Sequence, residues 1–125
     1  MKEIKTKTSK VYLKEGILRV DYIDKAKISL PDAMETVEAQ KEFIASPSKI
    51  PLLVDIRTIS SIDSESRNYF IGEESQKIVT KAALWTKSAM SNMIGNFFIG
   101  LNKGPIPVKL FSDEDKAISW LREID

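Results

Sequence analysis

Two carboxylates, Asp55 and Asp63, are best placed by type and spacing to do chemistry. Both fall near the carboxyl end of a parallel strand, where ligands of open α/β sheets collect. Paired acids there can hold Mg²⁺ or share acid–base work. No third ligand and no phosphate loop accompany them, and Asp55 has the simpler role of organising the loop after its strand. Gly95 and Gly100 have the spacing of a phosphate loop's glycines, but Leu101 and Asn102 stand where Lys and Ser or Thr are required. Those glycines then serve close helix packing or helix termination. The chain contains no Cys and no His. That removes disulfides, thiolate zinc sites, a cysteine nucleophile, Ser-His-Asp chemistry and the commonest general base. The expectation is a protein that is not an enzyme and carries no metal and no cofactor.

Charge narrows the partners. Lys and Arg number 19 against 18 Asp and Glu, a net charge of +1 over 125 residues. That balance makes no electrostatic case for nucleic acid or for anionic lipid. The polar start, Met1 to Lys10, is followed by no apolar segment of signal-peptide type. No run approaches the roughly 18 apolar residues of a membrane-spanning helix. The expectation is a cytoplasmic protein of one domain, residues 1–125, with residues 1–9 as a disordered tail.

The elements that must position these residues follow from periodicity. Lys10–Lys14 and Ile17–Ile23 alternate with period two around Glu15-Gly16, a hairpin signal. Lys27–Leu30 reads as a brief extended piece. A helix starts at Pro31 and runs to about Ala45, with Ala33, Met34, Val37 and Ile44 inward and Lys41 as the weak point. Pro51–Ile56 is a continuous apolar run that suits a strand buried on both faces. Ser64–Thr80 reads as a helix with Phe70, Ile71, Ile78 and Val79 inward, and Ala82–Thr86 as a second buried strand. Ser88–Leu101 is the best helical pattern, with Met90, Met93, Ile94, Phe97, Phe98 and Leu101 at i, i+3, i+4, i+7, i+8 and i+11. Pro107–Phe111 is a last strand. Ser112-Asp113-Glu114-Asp115 then caps a final helix carrying Ala117, Ile118, Leu121 and Ile124. Strands alternating with helices after a hairpin imply an α/β fold: a single domain with a mixed, mostly parallel sheet and packed helices.

Leu53-Val54-Asp55-Ile56-Arg57-Thr58-Ile59-Ser60-Ser61-Ile62-Asp63-Ser64 resembles the central signature of STAS domains, the bacterial anti-sigma-factor antagonists. In that signature a buried strand ends in Asp, and a short loop leads to an apolar residue and Asp-Ser at a helix start. Val108–Leu121 resembles the end of the SpoIIAA-like proteins, grouped with STAS/SEC14-like domains, in which a strand runs into an acidic cap and an Ala-x-x-Trp-Leu helix. The element order fits from Val11 to Leu121. The resemblance implies a STAS/SpoIIAA-like fold and phosphorylation of Ser64 by a partner kinase of the anti-sigma type. Here Glu65-Ser66-Arg67 stand where the antagonists carry a small residue and Gly.

A phosphate at Ser64 would meet a helix N-terminus, which favours anions. Asp63 and Glu65 would repel it, and Arg67, three residues on, would partly offset that repulsion. The simpler account makes Asp63 or Ser61 an ordinary N-cap. The wide apolar face of Met90, Met93, Phe97 and Phe98 is core, a homodimer contact, or the wall of a small apolar ligand's pocket. One of Phe97 and Phe98 must sit at its edge, since adjacent helical residues differ by about 100°. The sequence therefore favours a non-catalytic regulatory module that docks a protein partner through Asp55, Asp63, Ser64 and Arg67. The alternative, implied by the SEC14-like side of the resemblance, is a carrier or sensor of a small apolar or lipid-like ligand.

Overall fold

The structure, a computed structural model, describes residues 2–45, 47–87, 92–101 and 103–123. Strand β1 (Glu3–Lys5) pairs antiparallel with β2 (Ser9–Lys14). The segment expected to be a disordered tail therefore supplies an edge strand instead. Thr6 explains the order: its hydroxyl oxygen accepts from the backbone N–H of Ser9 at 3.0 Å and of Thr8 at 3.3 Å, closing the turn. Glu15 and Gly16 both take positive φ, 51° and 82°. That geometry matches the twist of a two-residue hairpin and returns the chain into β3 (Ile17–Tyr22), antiparallel to β2.

From β3 the sheet becomes parallel. The brief β4 (Lys27–Ile28) leads through the N-cap Ser29 into α1 (Leu30–Lys41). The chain then returns as β5 (Ile50–Asp55), parallel to β3 with Leu18 opposite Leu52 and Asp21 opposite Asp55. Strand β6 (Ser61–Ile62) pairs in parallel with β4 alone. Two short helices follow, α2 (Ser64–Phe70) and α3 (Glu73–Gln76), then β7 (Val79–Trp85). The last elements are α4 (Asn92–Leu101), β8 (Val108–Phe111) and α5 (Glu114–Leu121). The main sheet has the order β1-β2-β3-β5-β7-β8.

Strand alternation divides the interior in two. One face presents Val11, Leu18, Val20, Leu52, Val54, Ala82 and Leu84 to α1, α2 and α4. The other presents Ile17, Leu53 and Ala83 to Ala117 and Leu121 of α5. Because both faces of β5 are covered, its apolar run is continuous rather than alternating.

Several boundaries differ from the sequence expectation. The single helix over Ser64–Thr80 is broken at Ile71-Gly72, and Gly72 caps α3 instead. Glycine is a poor interior helix residue, and the β-branched run Ile78-Val79-Thr80 prefers the pleated strand it joins, where Val79 lies opposite Ile50. Helix α1 ends at Lys41 rather than Ala45. Its Met34, expected inside, is 45% exposed. Thr36 and Gln40 are buried in its place, because they share the arc of Ala33 and Val37 while Met34 lies on the outer flank. Thr36 also bonds the Ser9 hydroxyl at 2.9 Å, anchoring α1 to β2. Residues 88–91, the expected start of the Ser88–Leu101 helix, lie outside the described residues.

Candidate functional site

The parallel pairing of β4 with β6 sets Lys27 opposite Ser61 and Ile28 opposite Ile62. Each strand runs directly into a helix, so the N-caps Ser29 and Asp63 stand one residue past paired positions. Asp63 Oδ1 accepts from the Ser66 hydroxyl at 2.6 Å and from the Ser66 backbone N–H at 2.8 Å. These bonds, the side-chain one foremost, favour the ionised form and hold the Asp63 carboxyl below its ordinary range. Ser66 is fully buried, and its hydroxyl also lies 3.4 Å from the Ile28 carbonyl. The start of α2 is thus pinned to β4. Ser66 escaped the sequence reading, although Asp-x-x-Ser at a helix start is a capping pattern that could have found it.

Ser64 is the first residue of α2 and is exposed. Its hydroxyl has no partner among the described residues. Arg67 reaches across to α4, where Nη1 donates to the Asn96 carbonyl at 3.2 Å. Its aliphatic stem passes Gly100, where an added Cβ would lie 3.7 Å from Arg67 Cδ. That is an ordinary contact distance, so the approach of α2 to α4 does not itself require glycine at this position. Met90 and the side chains of Met93, Phe97 and Phe98, proposed from sequence as a ligand or dimer face, lie outside the described residues.

Asp55 belongs to a different assembly, on the α5 side of the sheet. Arg57 forks onto it, with Nε donating to Oδ1 at 2.9 Å and Nη2 to Oδ2 at 2.8 Å. The Arg57 backbone N–H donates to Oδ1 as well, at 3.1 Å. The same guanidinium stacks on the Trp85 ring, 3.5 Å from its centre. Asp55 so organises the turn after β5. Beside it, Tyr12 donates to Asp21 at 2.8 Å, and the buried Arg19 pairs with Glu114 of α5 at 2.5 Å. Burial, then the bond to Asp21, pushes the Tyr12 hydroxyl up to about 12. Arg19 and Asp21 were not singled out from sequence as site residues. The signal lay in β3, where charged Arg19 and Asp21 alternate with apolar Leu18 and Val20. Among the described residues no group of three or more acidic side chains is arranged to hold a metal ion.

On the opposite face a cavity of about 60 Å³ lies between the sheet, α1 and the α2–α3 link. Its walls are mainly apolar, with Leu52, Val54, Leu84, Leu101 and Val108 among them. Tyr22 joins this wall, and burial pushes its hydroxyl well above the usual tyrosine range.

Residues 11–125 match the family model described as domain of unknown function DUF7793. The chain belongs to that family. No curated protein matches this DUF7793 chain. Among solved structures it is similar to an uncharacterised protein of the DUF3478 family with a SpoIIAA-like fold from Shewanella loihica PV-4. That likeness has a TM-score of 0.66 at 16% identity, over 90% of this chain and 91% of the other. The DUF7793 chain therefore has a SpoIIAA-like fold, a single mixed α/β domain with a mostly parallel sheet. A second similar structure, a protein with unknown function from Arthrobacter sp. FB24, is 27% identical with a TM-score of 0.36, over 96% of this chain and 97% of that one. Among the described residues of the DUF7793 chain, no helix is long and apolar enough to cross a membrane.

Proposed function

We propose that this protein is a non-catalytic regulatory module that docks a protein partner through the start of α2, with Ser64 at the centre of the contact and open to a partner kinase. One observation carries the reading: the Ser64 hydroxyl is exposed and unbonded on a helix start that Asp63, Ser66 and Ile28 hold rigidly. A kinase reaches a hydroxyl only on the surface, and a fixed frame lets one added charge change docking without changing the fold. Arg67 is engaged with α4, so a phosphate would stand beside Asp63 and Glu65 with its repulsion largely uncompensated. The module works in the cytoplasm, and its partner is an anti-sigma-type regulator.

The alternative, a SEC14-like carrier or sensor of a small apolar or lipid-like ligand, finds less support. A cavity of about 60 Å³ has room for only a few water molecules and does not enclose an acyl chain.

Affinity capture with Ser64→Ala and Ser64→Asp tests the docking reading. The two variants are expected to share stability within about 0.5 kcal/mol and to retain different partners. Identical retained sets would overturn it.

A further inference from the structure

We infer that the chain forms a two-fold dimer in which β8 pairs with β8 of a second copy and the two α5 helices lie side by side. Strand β8 ends the main sheet. On its inner side the Ala82 N–H donates to the Pro107 carbonyl at 2.9 Å and the Thr86 N–H to the Phe111 carbonyl at 2.8 Å. Backbone groups alternate sides along a strand, so the N–H and C=O of Val108 and Leu110 point away from β7. That outer row can receive another strand. The opposite edge of the sheet is guarded, since β1 carries charge at Glu3 and Lys5, two of its three positions. The single charge on β8 is turned aside, with Lys109 Nζ 5.5 Å from the centre of the Phe111 ring.

The groove beside β8 favours a second copy as the occupant. It is open, has a volume of about 460 Å³ and runs between β8 and α5. The rings of Phe111 and Trp120, 5.7 Å apart and half-buried, line it. Along α5 and just past its end, Lys116, Ser119 and Glu123 line it as well, and all three are exposed. Lys116 and Glu123 are about two helical turns apart, with the small Ser119 near their midpoint. A two-fold axis perpendicular to the sheet makes β8 antiparallel to its copy and runs the two α5 helices in opposite directions on one face. Each Lys116 then stands toward Glu123 of the second copy, and Ser119 lets the helices approach. Lys109 lies off the axis, so like charges are not opposed. The α5 stripe is therefore complementary to itself when reversed, as an isologous contact requires. A strand from another protein would use the same backbone groups but would not match that reversal.

The dimer is independent of the docking reading, since it uses neither Ser64 nor α2. Sedimentation of the full chain over a concentration series, with hydrogen exchange in parallel, tests it. The parent is expected to dimerise, and the Val108 and Leu110 amides to gain protection as the dimer fills. Lys116→Glu and Glu123→Lys are each expected to weaken dimerisation roughly tenfold, because the axis makes every like-charge contact twice. Combining the two reversals exchanges the signs and is expected to return the affinity to within about threefold of the parent. A chain monomeric up to about 1 mM would leave the edge to a different protein and overturn the inference. A dimer that leaves both amides unprotected, or a double reversal no tighter than the single ones, would overturn it equally. Lys81 Nζ lies 3.0 Å from the Glu123 carbonyl. Should Glu123→Lys not fold beside it, Lys116→Glu and the amide protection carry the comparison.

Discussion

The Arg57 guanidinium lies 3.5 Å from the centre of the Trp85 ring while its nitrogens fork onto Asp55. One side chain thereby ties the turn after β5 to the end of β7. Parallel register makes this possible, since Asp55 and Trp85 are opposite each other in the sheet. Arginine suits the role because its planar group can stack and fork at once, which a lysine ammonium cannot. Arg57→Lys is therefore expected to lose most of what Arg57→Ala loses, about 1 kcal/mol at this partly exposed site. Chemical unfolding, with the fluorescence of Trp85 in a Trp120→Phe background as a second readout, checks it. Full retention of stability by Arg57→Lys would show that charge alone matters.

Arg19 is buried at 6% exposure, with Glu114 as its ion-pair partner. Glu114→Ala leaves that cation buried with no carboxylate. The expected loss is about 2–3 kcal/mol, below the range for a fully enclosed pair because Glu114 is more than a third exposed. Replacing both residues, Arg19→Met with Glu114→Leu, is expected to restore most of the stability. A double variant no better than the single one would refute the desolvation argument.

The Asp63 cap predicts an acid limb. Its folded-state pKa lies below the ordinary value through the bonds from Ser66. Its contribution is therefore present above the unfolded-state pKa, near 4, and lost as pH falls through the folded value. Asp63→Asn keeps an oxygen for the Ser66 N–H but has no proton to gain. Its stability should fall less between pH 5 and pH 2 than that of the parent. Parallel curves for the two proteins would remove Asp63 from the acid response.

Tyr12 predicts the alkaline counterpart. Its hydroxyl is raised to about 12 in the folded chain, chiefly by burial and then by the bond to Asp21. The folded state holds this proton more tightly than the unfolded state, whose value is near 10. The contribution is thus full below about pH 10 and lost as pH rises through about 12. Tyr12→Phe should flatten that loss, and the phenolate absorbance band should lack one late-titrating group. An unchanged alkaline limb would contradict the assignment.

Much of the order of elements was legible in the residues themselves. Period two around Glu15-Gly16, the apolar run of β5 and the acidic start of α5 each report a local burial pattern, which the backbone period converts directly into an element. The Asp63 cap was legible for the same reason, since its partner is only three residues away. What local pattern could not supply is pairing across distance. The β3–β5–β7 register brings Asp21, Asp55 and Trp85 into one row, and no spacing along the chain encodes that neighbourhood. The break at Gly72 was likewise decided in three dimensions, because Val79 gains a place opposite Ile50 in the sheet that a continued helix would forfeit. The inward turn of Thr36 and Gln40 instead of Met34 depends on how α1 is rotated over the sheet, with Ser9 below Thr36. The sequence by itself therefore determined the fold class and the helix start that carries Ser64. Tertiary structure alone decided that Ser64 is exposed, that Arg67 turns to α4 and that Gln40 and Ser75 line one cavity, because each depends on which elements pack together.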